Sequence, residues 1–312
     1  MNRVLDHLGT QYPIIQSPMG WIARSQLASA VSNAGAMGII ETSSGEIEQC
    51  MEEIRKMRTL TNKPFGVNLA LLFLRDERMV DMVVDEGVKF VTTSAGSPAK
   101  YIEKLKKHDI VVYHAVPTAT LAMKAVAAGV DGLVVEGAEG GGYKNPEEVS
   151  LAVLLQSIRD KTDLPMVAAG GIVDGRGMAA AFAAGAEGVQ MGTRFVSSLE
   201  SPVHRNFKQA IVTGDETGTV VLNKKSTPCV RALKTERSMA IAEAGIMDRA
   251  KGFGSVLDLY FAGDMEASLG LAGQGIGLIH EVKPVAEIVQ ETVDGFFEIA
   301  GQFAARAQAH AF

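Results

Sequence analysis

The chain has 312 residues, 47% of them hydrophobic and 21% charged, with a formal net charge of −6. That apolar content excludes a disordered chain, and an acidic balance without a basic stripe argues against nucleic acid as a partner. The two cysteines, Cys50 and Cys229, lie far from each other and from any histidine at metal-ligand spacing, so both read as free thiols and no metal is expected.

The N-terminal stretch carries Asp6 where a signal peptide needs an apolar region, and the most apolar stretches, such as residues 178–186, fall far short of a membrane span. A cytoplasmic setting with no membrane partner fits best.

Eight short apolar runs follow in chain order: PIIQSPM (13–19), AMGIIET (36–42), PFGVNLALL (64–72), KFVTTSA (89–95), DIVVYHAV (109–116), DGLVVEGA (131–138), PMVAAGGI (165–172) and EGVQMGTRF (187–195). Each is β-branched or continuously apolar, as strands buried on both faces must be. Helical spacing fills the gaps, as in SQLASAVSNAG and TLAMKAVAAG, and several of these segments stop at a glycine just before the next strand. Such alternation predicts a parallel sheet with crossover helices, and eight evenly spaced units favour a closed TIM (β/α)8 barrel over an open doubly wound sheet.

The rhythm stops after residue 199. Residues 200–283 read as helical segments without a strong strand, and a long final helix begins near Pro284. The expected α/β architecture is a barrel made from residues 1–199 and 284–312. A smaller helical domain, 200–283, is inserted between strand 8 and helix 8 to cover the active site. Its paired apolar faces would also suit a homodimer.

Barrel enzymes carry their chemistry at the C-terminal strand ends. There this sequence gathers glycines and polar residues: Gln16 to Gly20, Glu41 to Ser44, Asn68, Thr92 to Ser94, His114, Glu136 to Tyr143, Gly170 and Gly171, and Gln190 to Thr193. AAGGIVDGRG after strand seven and QMGTRF after strand eight can hold a phosphate with backbone N–H groups alone. Asp174 in the first of these reads as a turn or cap residue, because its charge would repel phosphate.

PIIQSPMG, PFGVNL, EGAEGGGY, AAGGIVDGRG and MGTRF, in that order, resemble the motif series of the nitronate monooxygenases, formerly 2-nitropropane dioxygenases, and of the related FMN-dependent enoyl-ACP reductases of the second type. The resemblance covers residues 13–196 and implies an FMN enzyme acting on a small molecule. Carried over by position, it implies that Gly170, Gly171, Gly192 and Thr193 hold the FMN phosphate. Met19 and Gly20 would run along the ring, Asn68 would bond its pyrimidine edge, and Gln190 would lie under the cofactor. Glu136 and Glu139 are candidates for orienting ring or ribityl hydroxyls. Gly141 and its neighbouring glycines would let the backbone approach flavin and substrate.

At one position the sequence departs from that family: Tyr143 stands where the catalytic histidine is usual. A tyrosine with its ordinary pKa near 10 is a poor base but a sound acid. Three readings follow. The first is oxidation of alkyl nitronates by O2, which needs no base. The second is an NADH- or NADPH-dependent FMN reductase acting on enoyl thioesters or quinones. The third is a non-catalytic flavin-binding protein. His114, at the end of strand five, is a candidate replacement base. Lys144 is either an anion attractor or solvated.

Overall fold

The computed structural model describes residues 2–74, 76–247 and 252–309. Eight parallel strands form one sheet: β1 (Ile14–Gln16), β2 (Gly38–Glu41), β3 (Phe65–Ala70), β4 (Phe90–Ser94), β5 (Val111–Val116), β6 (Gly132–Glu136), β8 (Met166–Ala169) and β9 (Gly188–Met191), with the short β7 (Gly142–Tyr143) outside it. Neighbours in this sheet follow chain order, β9 pairs with β1, and a parallel bridge between Ile15 and Met37 joins β1 to β2. The sheet therefore closes on itself, as eight parallel strands can.

Alternation along each strand sorts the side chains. Ile15, Ile39, Phe90, Tyr113, Val134 and Val167 form an inner cluster, plugged from below by Val4 and Leu8 of the helix Arg3–Leu8. Ile14, Ile40, Val67, Val91, Val112, Leu133 and Val189 face outward and pack with the helices. Both strand faces are buried, which is why the strands read as unbroken apolar runs. Gly132 is required by this interior: a Cβ there would stand 2.3 Å from the ring of Tyr113.

The final helix runs Val285–Gln308 with Pro284 as its N-cap, as its first turn predicts. It lies against the helix Gly175–Ala183, where a Cβ on Gly175 would meet the nitrogen of Phe296 at 2.3 Å and the rings of Phe182 and Phe296 are 4.8 Å apart.

Residues 200–283 differ from the purely helical expectation. Helices span Arg205–Val212 and Glu236–Ala244, but β10 (Thr219–Leu222) and β11 (Val230–Leu233) form an antiparallel pair that β7 extends to three strands. TVVL and VRAL are short, and they gain their third strand from residues about 90 positions away, so local pattern alone does not reveal them. Leu222, Val230, Ala232, Met247 and Leu269 form a small core under this sheet. Phe207, Tyr260 and Ile276 instead join the barrel's outer core. No described helix is long and apolar enough to cross a membrane.

Candidate active site

The inner faces of the strands change from apolar to polar at their C-terminal ends. Glu41, Asn68 and Thr92 are in mutual register, each two residues beyond an apolar or glycine inner position. Across the barrel, Glu136, Ala169 and Gln190 are likewise in register. The result is a polar floor on an apolar plug, at the end where barrel chemistry sits.

Asn68 is buried, and its amide nitrogen donates to the Thr92 hydroxyl at 3.0 Å and the Thr92 carbonyl at 3.2 Å. Its carbonyl oxygen has only a 3.4 Å contact with the Ser94 hydroxyl and keeps acceptor capacity. Beside it, fully buried Glu41 accepts from the backbone N–H groups of Trp21 (3.1 Å), Ser43 (2.8 Å) and Ser44 (3.0 Å), and pairs with Arg24 at 3.0 Å. This carboxylate clamps the loop carrying Met19 and Gly20 onto the loop after β2, with Trp21 held at φ +66°. Sequence reasoning placed Glu41 at the mouth but missed the clamp, because Arg24 and Trp21 look like ordinary loop residues.

After β8, Gly170 and Gly171 adopt φ values of +106° and +74°, accessible at low cost only to glycine. The N–H groups of Gly170, Gly171, Gly192 and Thr193 donate to no backbone carbonyl in a turn, loop or cap among the described residues. Thr193 starts the helix Thr193–Val196 and its hydroxyl accepts from the Gly273 N–H at 3.0 Å, which leaves its own hydrogen free to donate. Asp174 caps the helix Gly175–Ala183 by accepting from Gly177 N–H at 2.9 Å, as its charge suggested. These amides form a donor-rich, lysine-free rim suited to an anion.

The glycine-rich stretch 136–143 lies between that rim and residues 272–275. A Cβ on Gly141 would come within 2.5 Å of the Ala272 carbonyl carbon, and one on Gly137 within 2.6 Å of the Leu151 nitrogen. Protein neighbours by themselves therefore already demand glycine at these two positions. Glu139 turns away from the mouth: both its oxygens accept from Leu151 N–H at 3.1 Å, at the start of the helix Leu151–Arg159. Lys144 is not solvated. Its side chain is 3% exposed and its ammonium pairs with Glu136.

Tyr143 ends this stretch on β7, in register with Val230 of β11. It stays half-exposed between Phe73 (ring centroids 5.2 Å apart) and Phe253 (6.0 Å), and burial raises its phenol above the ordinary value. His114 does not join it. One residue beyond inward-facing Tyr113, it shares the outer face with Val112 and Val116, and its Nδ1 lies 2.7 Å from the Thr93 hydroxyl. Desolvation outweighs its hydrogen bonds and drives its pKa down to about 4. The expectation that His114 replaces the family base is thus corrected by strand parity.

The order and spacing of these features match a known family over residues 2–76 and 71–295, the nitronate monooxygenases. The chain belongs to the nitronate monooxygenase family. FabK from Thermotoga maritima has a TM-score of 0.92 to this fold at 38% identity, covering 98% of this chain and 99% of that one. The nitronate monooxygenase of Pseudomonas aeruginosa is 31% identical over 340 residues, 92% of this chain and 97% of the relative. A 5-hydroxy-7a-methyl-1-oxo-octahydro-1H-indene-4-carboxyl-CoA dehydrogenase of Rhodococcus jostii is 36% identical over 240 residues, 77% of this chain and 67% of the relative. This member of the nitronate monooxygenase family is an oxidoreductase on a TIM-type barrel.

Proposed function

We propose that this protein is an FMN-dependent reductase that uses NADH or NADPH to saturate an activated alkene, such as an enoyl thioester, with Tyr143 as the proton donor. The observation that carries this reading is the acid–base character of the mouth. Tyr143, read from the sequence resemblance as standing where the family histidine is usual, has its phenol pKa raised by burial, and the imidazole of His114 faces the outer helical layer. A phenol in that state donates a proton and does not abstract one at neutral pH. Likeness to FabK over nearly the whole chain and to a dehydrogenase named for a CoA ester supports the substrate class.

The donor set fits FMN. The N–H groups of Gly170, Gly171, Gly192 and Thr193 would hold the phosphate, and the Asn68 Oδ1 offers an acceptor for the N–H of the pyrimidine edge. Met19 and Gly20 would line the ring, Gln190 would lie under the cofactor near its phosphate end, and Glu136, fixed by Lys144, would take up a cofactor hydroxyl. When bound, FMN supplies the hydride acceptor and donor that links the nicotinamide to the substrate carbon. Tyr143 then delivers its Oη proton to the neighbouring carbon, so that one hydride and one proton together saturate the double bond. Its half-exposed ring lets the phenolate recover a proton from water.

A second reading keeps nitronate oxidation by O2. The family match and the Pseudomonas aeruginosa relative favour it, and a nitronate arrives already deprotonated and needs no base. Anaerobic stopped-flow mixing of the yellow holoenzyme with NADH, NADPH and an alkyl nitronate separates the two. Fast bleaching by a pyridine nucleotide, reversed by an enoyl thioester, is expected. Bleaching by nitronate alone would replace the first reading with the second, and inertness to all three would leave a flavin-binding protein without turnover.

A further inference from the structure

We infer that Phe73 and Phe253 are specificity-determining residues that grip the apolar acyl portion of the substrate, with Leu72 extending the same rim. This rests on the thioester reading above. The rim comes from two unrelated parts of the chain. Phe73 ends the 3-10 turn Leu71–Phe73 after β3, and Phe253 lies in the segment after the helix Glu236–Ala244 and packs on the small core beneath the three-stranded sheet.

Neither position is a loose loop tip. The Leu72 N–H donates to the Ala95 carbonyl at 2.7 Å, and a Cβ on Gly96 would stand 2.9 Å from the Leu71 Cβ, so the base of the turn is closely packed. From this pinned turn Leu72 and Phe73 project into solvent, 78% and 39% exposed. Large apolar side chains held outward on a fixed backbone at a catalytic mouth call for an apolar ligand.

The rings converge on the proposed proton donor. Phe73 lies at 40° to Tyr143 and Phe253 meets it edge-on at 90°. Asn68 of β3, five residues before Phe73, is in register with Thr92 at the polar strand ends, and the ammonium of Lys144, next to Tyr143, is already paired with Glu136. An amphipathic substrate suits this gradient, with its carbonyl directed to the floor and its hydrocarbon against the rings.

The test is equilibrium binding of saturated CoA thioesters of four to twelve acyl carbons to the oxidised holoenzyme, read by calorimetry and by perturbation of the flavin spectrum. Wild type is expected to tighten by about threefold to fourfold for each methylene that reaches the rim. Phe73→Ala and Phe253→Ala should flatten that dependence, each losing affinity most for the twelve-carbon ester and least for the four-carbon ester. Because Phe253 contributes to a core, Leu72→Ser supplies a second, fully external variant, expected to weaken only the longer esters. A chain-length dependence that survives in all three variants would overturn the rim assignment alone. Wild type binding no thioester of any length would overturn the reading on which it rests.

Discussion

The Nε of Arg231 donates to the carbonyl of Ala138 at 3.0 Å, tying β11 of the 200–283 segment to the glycine-rich stretch that carries Tyr143. The same buried guanidinium reaches the Thr219 hydroxyl at 3.2 Å and Glu148 at 3.4 Å. With the pairing of Arg231 to Gly142 and of Val230 to Tyr143, this makes the position of Tyr143, the proposed proton donor, a property of the segment 219–233 as much as of the barrel. Arg231→Met should destabilise the protein by about 2–3 kcal/mol, because it leaves the Ala138 carbonyl without its donor and Glu148 with Lys224 alone. It should also lower kcat roughly 10–100-fold by loosening Tyr143. Urea unfolding and steady-state kinetics check both, and Arg231→Lys should recover only part of each.

His114 gives the fold a pH dependence of its own. Its folded pKa is depressed from 6.5 to about 4, so the unfolded chain takes up the proton first. Stability from this site is complete above pH 6.5, declines as pH falls toward 4, and levels off below that. Between pH 7.5 and 4.5 the loss should be about 2–3 kcal/mol. In His114→Asn this portion of the slope should vanish, with turnover at pH 7.5 nearly unchanged because the side chain faces away from the mouth. Unfolding curves at the two pH values measure it.

Two glycines separate crowding from backbone strain. Gly141→Ala places a methyl within 2.5 Å of the Ala272 backbone and should cost about 1–3 kcal/mol, with loss of activity as β7 shifts. Gly129→Ala has open space around it but sits at φ +88°, so it should cost only about 1 kcal/mol and leave activity intact. Thermal unfolding together with turnover distinguishes them.

The barrel was legible because its strands are buried on both faces, and the final helix because Pro284 marks its start. The role of Asp174 followed from charge alone. What stayed hidden depends on distant partners or on parity. β10 and β11 are short strands completed by Gly142 and Tyr143, and nothing local in TVVL or VRAL announces that pairing. A residue at a strand end lies on one face or the other, and a one-residue difference sends His114 to the helices and Tyr113 to the axis. Lys144 resembles a surface lysine in sequence, and its burial depends on how the glycine stretch folds back toward Glu136. The Glu41 clamp is hidden for the same reason, since its partners gather only when two separate loops meet.

The phenol of Tyr143 is the centre of the account, and it can be tested apart from hydride transfer. Because burial raises its pKa, the acid form should persist through neutral pH and turnover should fall only above about pH 10. In Tyr143→Phe, anaerobic bleaching of the flavin by NADH or NADPH should proceed at the wild-type rate. Reoxidation by an enoyl thioester should slow by about 10²–10⁴-fold, the usual loss on removing a positioned acid. Equal slowing of both half-reactions, or an unchanged rate of thioester reduction, would contradict Tyr143 as the proton donor.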